Sequence, residues 1–254
     1  MLNYVEYGKE NKYDDDIFFQ KYSQMSRSQQ GLAGAGEWET LRKLLPDFKD
    51  KRVLDLGCGY GWHCIYAMEH GASSVVGVDI SHKMLEVAKE KTHFPQVEYK
   101  CCAIEDVEFP EESFDVILSS LAFHYVADYE ILVKKIYRIL KSGGKLVFTV
   151  EHPVFTAYGT QDWYYNKKGE ILHFPVDNYY YEGKRTAVFL GEKVTKFHRT
   201  LTTYLNTLLS NGFIINHIVE PQPPENMMDI PGMQDEMRRP MMLIVSANKN
   251  CYTT

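Results

Sequence analysis

The chain is poor in cysteine, and its few cysteines are not arranged as metal ligands. Five cysteines occur in 254 residues, and no two of them form a C-x-x-C pair. An odd number of thiols is typical of a reducing compartment, where free cysteines most often pack as small hydrophobic residues. Although Cys58, His63 and Cys64 are close in the sequence, no second ligand cluster accompanies them. We therefore expect reduced thiols and no metal site.

The chain also lacks a surplus of basic residues and any long apolar segment. Its 34 acidic residues outnumber 28 Lys and Arg residues, which gives a net charge of -6. Wrapping a phosphate backbone needs clustered Lys and Arg, so a nucleic-acid partner is disfavoured. No run of about eighteen apolar residues occurs, so a membrane span is not expected. The beginning MLNYVEYGKENKYDDD has acids where a secretory signal needs a basic start, and we expect a cytoplasmic protein.

Short β-branched runs alternate with amphipathic segments between residues 52 and 150, which predicts βαβ units that build a parallel sheet. The predicted strands are 52–56, 74–79, 97–101, 114–119 and 145–150, and the predicted helices are 61–70, 81–92 and 129–140. Ser81 is expected to cap its helix, because its hydroxyl can accept a hydrogen bond from an amide of the first turn. The glycines of 141–144 are expected to end the third helix.

The segments on either side of this block have a different character. Residues 15–46 predict two helical stretches around a glycine-rich turn. Residues 153–199 are rich in aromatic side chains without clear periodicity, which predicts either a lid over a substrate or a satellite core without regular structure. A helix at 201–210 and strands at 213–219 and 241–247 follow. We expect one domain, with a helical cap at 1–48, a cofactor-binding core at 50–150, a lid at 153–200 and the rest of the sheet at 201–254.

Three alternating glycines follow the first predicted strand, in VLDLGCGYG at 53–61. Glycine lets the backbone approach a ligand that a Cβ atom would push away. In the dinucleotide fingerprint G-x-G-x-x-G the third glycine comes one residue later, which counts against NAD. Asp79 ends the next strand, where its carboxylate can accept hydrogen bonds from both hydroxyls of a ribose. The loop and the acid together predict an adenosine-containing ligand.

These residues resemble class I S-adenosylmethionine-dependent methyltransferases, particularly the small-molecule group known as type 11. The resemblance rests on four motifs in order: VLDLGCGYG at 53–61, VGVDI at 76–80, AIEDVEFPEESFD at 103–115 and LKSGGKL at 140–146. It implies a Rossmann-like α/β fold, with a seven-stranded, mostly parallel sheet flanked by helices and an antiparallel last strand. The helical cap and an aromatic-rich insertion after strand five complete that expectation. It also implies S-adenosyl-L-methionine as cofactor, S-adenosyl-L-homocysteine as product and a small-molecule methyl acceptor.

The resemblance implies cofactor contacts position by position. Asp55 would anchor the loop near the methionine ammonium, with Gly57, Cys58 and Gly59 along the amino-acid end. Asp79 would hold the ribose and Ile80 would pack on the adenine, whose edge would meet Ala103, Ile104 and Glu105. Ser119, Ser120 and Leu121 would approach the methionine part. Arg27 would clasp the cofactor carboxylate, as an N-terminal arginine does in similar enzymes, and Tyr22 and Met25 would close over the same site. Many relatives carry Asp where Ala103 stands, so Glu105 or a backbone carbonyl is expected to bind the adenine amino group.

Two histidines are candidate catalytic residues because they follow strands whose carboxyl ends face the cleft. His124 follows the fourth predicted strand and His152 follows the fifth. Either can accept a proton near neutral pH, although a histidine at a strand end often satisfies backbone groups instead. Methyl transfer from a sulfonium is an in-line displacement, and it needs a base only if the acceptor must lose a proton.

Two other functions stay open at this point. A non-catalytic protein that binds S-adenosylmethionine or S-adenosylhomocysteine would carry the same motifs. An NAD-dependent oxidoreductase shares the glycine loop and the acid, but the early third glycine and the absence of a Tyr-x-x-x-Lys pair weigh against it. The acceptor, its reacting atom and the oligomeric state are not specified by these motifs.

Overall fold

Strands that alternate with amphipathic helices bury both faces of a parallel sheet, and a computed structural model shows this arrangement. It describes residue 9 and residues 11–251, so the outermost ends of the expected cap and of the C-terminal part lie outside the described residues. The strands are β1 (Arg52–Leu56), β2 (Ser74–Asp79), β3 (Val97–Cys101), β4 (Phe114–Ser120), β5 (Leu140–Glu151), β6 (Tyr164–Tyr165), β7 (Ile171–His173), β8 (Gly183–Phe189), β9 (Glu192–His198), β10 (Phe213–Val219) and β11 (Met242–Lys249). The α-helices are α1 (Asp16–Ser23), α2 (Ser26–Gln29), α3 (Trp38–Arg42), α4 (Trp62–Glu69), α5 (His82–Lys91), α6 (Tyr129–Ile139), α7 (Pro153–Ala157), α8 (Leu201–Ser210) and α9 (Met233–Glu236).

Seven of these strands form the central sheet in the order β10-β11-β5-β4-β1-β2-β3. β11 runs antiparallel to both of its neighbours, and the other adjacent pairs are parallel. The predicted Rossmann-like fold with an antiparallel last strand is therefore confirmed. The chain reverses its direction across the sheet between β1 and β4, and a ligand crevice forms beyond the carboxyl ends of strands at such a point.

Both faces of the sheet are buried because side chains alternate along each strand. Leu54 and Leu56 of β1 are fully buried in one hydrophobic cluster, which includes Ile136 of α6. Val53 belongs to a second cluster on the opposite face, together with Cys64 of α4. This packing fixes the register of β1 and therefore the direction in which its carboxyl end delivers the glycine loop.

The elements of the core agree closely with the sequence prediction. β1, β2, β3, α8 and β10 begin and end at the predicted residues. Ser81 caps α5, since its side chain accepts a hydrogen bond from the backbone N–H of Met84 at 3.1 Å. The predicted glycine turn before the fifth strand is different. β5 begins directly after α6, and residues 141–144 bulge out of it, because Leu140 pairs with Phe114 while Lys145 pairs with Val116.

The prediction that the aromatic insertion lacks regular structure is wrong. It contains α7 and two hairpins, β6–β7 and β8–β9. Ala187 and Val194 of the larger hairpin are buried against Phe18 of α1, so a distant helix supplies the apolar surface that stabilises this hairpin. Local sequence patterns do not report such a partner, and the segment therefore looks irregular when it is considered alone.

The N-terminal cap consists of three short helices, rather than the two stretches that were predicted, and it is anchored beside β2. Asp14 accepts hydrogen bonds from the Ser81 hydroxyl at 2.6 Å and from the backbone N–H of Lys83 at 3.1 Å. The cap thus lies over the carboxyl ends of the central strands. Within the described part of the chain, no helix is long and apolar enough to cross a bilayer.

Candidate active site

A cavity of about 200 Å³ lies where the carboxyl ends of the parallel strands meet. The part beside β1 and β2, here called the loop half, is lined by Tyr22, Met25, Arg27, Gly57, Gly59, Asp79, Ile80, Met84, Ala103, Ile104, Glu105, Ser120 and Leu121. The part towards β5 and the insertion, here called the aromatic half, is lined by Tyr13, His124, Tyr125, Glu151, Phe189, Lys196, Met241 and Met242. A smaller cavity of about 80 Å³ adjoins the loop half and includes Cys58.

The glycines of the loop after β1 serve different purposes. Gly57 and Gly59 have φ values of 78° and 52°, in the left-handed region that favours glycine. A Cβ atom on Gly57 would lie 2.4 Å from the Cβ atom of Ala122, so the protein itself requires glycine at that position. A Cβ atom on Gly59 would meet nothing within 4 Å. Since Gly59 lines both cavities, that space belongs to whatever the cavities bind.

Asp79 links this loop to the end of β2. One carboxylate oxygen accepts a hydrogen bond from the backbone N–H of Gly59 at 2.8 Å, and the other accepts one from Ser81 at 2.9 Å. Burial raises the pKa of Asp79, and the backbone N–H groups partly oppose that shift. Each carboxylate oxygen can accept a second hydrogen bond, so Asp79 can still bind two hydroxyl groups in the loop half.

The next wall of the loop half is apolar, with one carboxylate at its edge. Ile104 and Ala103 are buried, and Ile80 and Met84 continue the same surface. Glu105, the middle residue of the short turn Ile104–Asp106, also lines the cavity. This surface can hold a flat ring against its aliphatic side chains. Met84, on the first turn of α5, was not among the predicted residues.

Arg27 lines both cavities and is paired with a buried carboxylate. Its Nη2 donates to the two oxygens of Glu37 at 3.1 Å and 3.0 Å, and Glu37 is only 3% exposed. Tyr22 packs beside this pair and lines the same two cavities. Glu37 was missed by the sequence reading, because no local pattern distinguishes it from an exposed acid before α3.

Two of the predicted cofactor residues line neither cavity. Asp55 lies beneath the loop, where one oxygen accepts a hydrogen bond from the thiol of Cys64 at 3.5 Å and the other has no partner among the described residues. Burial raises the pKa of Asp55 to about 7. Ser119 donates its hydroxyl proton to the carbonyl of Leu56 at 2.7 Å and so ties β4 to β1. The structure brings Ser120, not Ser119, to the cavity.

His152, one of the two candidate catalytic histidines, also lies outside the cavity. Its Nδ1 accepts a hydrogen bond from the backbone N–H of Val154 at 3.0 Å and caps α7. Its Nε2 lies 2.8 Å from a carboxylate oxygen of Glu220. Both ring nitrogens therefore meet structural neighbours, and the structure does not bring His152 to the site.

His124 does line the aromatic half, in a neutral state. Burial lowers its pKa to about 4; the charges of Lys196 and Arg199 act in the same direction, and that of Glu151 opposes them. Nδ1 accepts a hydrogen bond from the backbone N–H of Glu151 at 3.4 Å. The proton of the neutral ring therefore resides on Nε2, so His124 is arranged to donate a hydrogen bond rather than to accept a proton.

A buried ion pair lies on the wall of the aromatic half. Lys196 Nζ lies 2.5 Å from Glu151 Oε1, and the side chains are 3% and 11% exposed. Gln161 joins both groups, since its amide donates to Glu151 Oε2 at 2.6 Å and its carbonyl accepts from Lys196 at 2.9 Å. Burial alone would raise the pKa of Glu151, but His124, Lys196 and the hydrogen bonds hold that pKa below its ordinary value.

The sequence reading missed this ion pair. Glu151 ends β5 as Asp79 ends β2, so the same positional argument would have selected it. Lys196 lies in the insertion, where no pattern pointed to it. Beside His124, the aromatic half is lined by Phe189, Met241 and Met242 and by Tyr13 and Tyr125, whose hydroxyls lie 3.3 Å apart.

Comparison with known proteins agrees with this geometry. Residues 54–148 match a family model described as a methyltransferase domain. A Listeria monocytogenes protein, assigned as an S-adenosylmethionine-dependent methyltransferase, is 57% identical, with a TM-score of 0.83 over 87% of this chain and 99% of that chain. An S-adenosylmethionine-dependent methyltransferase from Mesorhizobium loti is 41% identical, with a TM-score of 0.79 over 86% of this chain and 100% of that chain. An uncharacterized protein of Haemophilus influenzae is 34% identical over 250 residues, which are 93% of this chain and 96% of that protein.

The fold, the glycine loop with Asp79 and these full-length similarities all agree. Two of the matched proteins are described by the same activity, and each is covered almost completely by this chain. The chain therefore belongs to the S-adenosylmethionine-dependent methyltransferases and uses S-adenosylmethionine as its methyl donor.

Proposed function

We propose that the loop half holds the cofactor and that the aromatic half holds a small molecule that receives the methyl group. S-adenosylmethionine supplies a methyl group on a positively charged sulfur, which becomes a neutral thioether when the methyl group leaves. The residues of the loop half fit this group in three places: the open space above Gly59, the two unused lone pairs of Asp79 and the apolar wall around Ile104. Asp79 would bind the ribose, and the wall would bind the adenine.

The amino-acid end of the cofactor would lie at the glycine loop, beside the ion pair of Arg27 and Glu37. An amino acid is a zwitterion, and this ion pair offers a guanidinium for its carboxylate and a carboxylate for its ammonium. Glu37 is almost fully buried, Arg27 is 23% exposed, and each holds the other in place, so little reorganisation is needed on binding. Ser120 and Gly57 line the same region and complete the proposed subsite.

Arg27→Met is expected to weaken binding of S-adenosylhomocysteine by about ten- to a hundredfold, because a hydrogen bond to a charged group contributes about 1.5–3 kcal/mol. Binding of 5′-methylthioadenosine, which carries the same nucleoside without the amino acid, is expected to stay unchanged. Isothermal titration calorimetry with both ligands measures the difference. Arg42→Met is the matched control, since Arg42 forms an exposed ion pair with Glu39 in the neighbouring α3. An equal loss for both ligands would contradict the proposed position of the amino-acid end.

The observation that carries the small-molecule assignment is that the cap and the insertion partly enclose the aromatic half. The cap and the β8–β9 hairpin meet above it, where Phe18 packs on Phe189 at a ring distance of 5.7 Å and Lys21 donates to the carbonyl of Leu190 at 3.0 Å. A polypeptide or a nucleic-acid strand would have to displace these contacts to reach the reacting centre. A small molecule requires only that the cap opens briefly.

The proposed function predicts where a transferred methyl group will be found. The full chain is incubated with S-adenosylmethionine that carries a radioactive methyl group and with a bacterial cell extract, which is then divided by ultrafiltration. After chromatography removes the unreacted S-adenosylmethionine, a labelled low-mass product is expected in the filtrate, and much less of it when Asp79→Asn replaces the natural chain. Label that accumulates only in the retained protein and nucleic acid would contradict a small-molecule acceptor.

A further inference from the structure

The buried pair of Glu151 and Lys196 indicates which kind of acceptor the aromatic half binds. This inference rests on the proposed function. We propose that the pair recognises a hydroxyl group, and that the acceptor is a small aromatic hydroxyl compound methylated on oxygen. Both side chains line the aromatic half, and no other part of the reaction scheme uses them.

Stability alone does not explain the pair. Removing two charges from water costs several kcal/mol for each ion, and a well-packed apolar pair of similar volume is often as stable. Lys196 is 3% exposed and Glu151 is 11% exposed, so both pay most of that desolvation cost. A pair of this kind placed on a cavity wall is better explained by a ligand that it binds.

The unused hydrogen-bonding capacity of the pair defines that ligand. The ammonium of Lys196 has three protons, and the described residues accept two of them, at Glu151 and Gln161. Each carboxylate oxygen of Glu151 accepts one hydrogen bond from these side chains and can accept another. Gln161 holds both head groups in place. The pair therefore offers one donor proton of Lys196 beside the remaining lone pairs of Glu151, and a hydroxyl group, which accepts one hydrogen bond and donates one, can bond to both side chains at once.

Other acceptor groups match this arrangement less well. A protonated amine would be repelled by Lys196 and by Arg199, which is buried nearby and donates to the backbone carbonyls of Val126 and Ala127. A carboxylate would be repelled by Glu151. A neutral aromatic amine donates a hydrogen bond to Glu151, but its nitrogen is a poor acceptor for Lys196.

The surroundings of the pair favour an aromatic body for the acceptor. Lys196 Nζ lies 5.4 Å from the ring centre of Phe189 and 5.9 Å from that of Tyr125. Met241 adds an adaptable apolar wall. A flat ring can pack among these side chains while its hydroxyl group reaches the ion pair.

Glu151 and Lys196 are the only protein residues that the proposed methyl transfer requires. The oxygen–methyl bond forms as the sulfur–methyl bond breaks, and the electron pair of the broken bond stays on sulfur. The acceptor oxygen becomes more acidic as it gains the methyl group, and its proton passes along the existing hydrogen bond to Glu151. Lys196 keeps its charge and continues to donate to the oxygen. Glu151, whose pKa is below its ordinary value, then releases the proton to water when the product leaves.

The test measures binding of four compounds with one skeleton to the full chain saturated with S-adenosylhomocysteine. The compounds are p-cresol, p-toluidine, p-toluate and p-methylanisole, and calorimetry gives each Kd. We expect p-cresol to bind about tenfold or more tightly than each of the others, because only a hydroxyl satisfies both partners. Equal binding of any other compound, or no binding of p-cresol, would overturn the inference. Failure of S-adenosylhomocysteine itself to bind would instead refute the proposed cofactor site.

The double variant Glu151→Gln/Lys196→Met removes both charges together and so leaves no unpaired ion in the interior. It is expected to bind S-adenosylhomocysteine with unchanged affinity and to lose the preference for p-cresol. Lys249→Met is the matched control. Lys249 also lies over a tyrosine ring, at 4.8 Å, and is also paired with a glutamate, Glu112. It ends β11, whereas Met242, which lines the cavity, begins that strand. A double variant that binds the cofactor product and still prefers p-cresol would overturn the inference. The relative affinities of the four compounds for the natural chain test the inference independently of any variant.

Discussion

Asp79→Asn is expected to weaken binding of S-adenosylhomocysteine by about a hundredfold or more. Two hydrogen bonds from ribose hydroxyls to a charged carboxylate contribute about 1.5–3 kcal/mol each, and the neutral amide forms weaker ones. The amide also turns one acceptor into a donor, so either Gly59 or Ser81 loses the partner of its backbone N–H. The loop would then lose its link to β2 as well. Isothermal titration calorimetry of the natural chain and the variant gives the two affinities.

Asp115→Asn is the matched control for this experiment. Asp115 also accepts a hydrogen bond from a backbone N–H, that of Arg52 at 2.9 Å, and is paired with Lys141. It lies at the amino end of β4, beside Arg52 of β1, whereas the cavity lies at the carboxyl ends of these strands. We expect it to leave the affinity unchanged. An Asp79→Asn chain that binds as tightly as the natural one would mean that the ribose lies elsewhere and that the proposed binding mode is wrong.

The core was predictable because its strands are buried on both faces. A strand such as β2, with four buried residues between Ser74 and Asp79, produces a continuous apolar run whose ends are visible in the sequence. The rule that ligands bind beyond the carboxyl ends of such strands then selected the glycine loop and Asp79. The glycine loop and Asp79 are both recognised from short stretches of sequence, and the structure places both at the cavity.

The same rule selects too many residues when it ignores the alternation of side chains. Consecutive residues of a strand point to opposite faces, so two neighbours at a strand end need not both reach the cavity. Ser120 lines it while Ser119 bonds to Leu56, and Glu151 lines it while His152 caps α7. Because both faces of these strands are buried, the alternation alone does not show which neighbour faces the cavity, and the tertiary structure decides it.

Other site residues could not be found in this way. Lys196 is 45 positions from Glu151, on a hairpin whose apolar partner is the N-terminal helix α1. Glu37 meets Arg27 through the turn between two short helices. Such contacts arise from tertiary packing, and one sequence without its fold contains no local signal for them.

Gly57 and Gly59 are expected to respond to substitution in opposite ways. Gly57→Ala should lower the free energy of unfolding by about 2–5 kcal/mol, because a left-handed backbone costs a Cβ-bearing residue about 1–2 kcal/mol and the contact with Ala122 adds the cost of overpacking. Gly59→Ala carries only the backbone cost, since its Cβ atom meets no protein atom. Urea unfolding of the chain without ligand measures both values.

Ligand binding provides a second test of the role of Gly59. The Cβ atom of Gly59→Ala would occupy space that we assign to the cofactor, so the affinity for S-adenosylhomocysteine should fall by at least about tenfold even though the chain is folded. The rise in Tm that a ligand causes depends on the ratio of its concentration to its Kd, so this rise should shrink for Gly59→Ala. If Gly59→Ala binds as well as the natural chain, the open space above the loop is not where the cofactor lies, and the loop has glycine there for its backbone conformation alone.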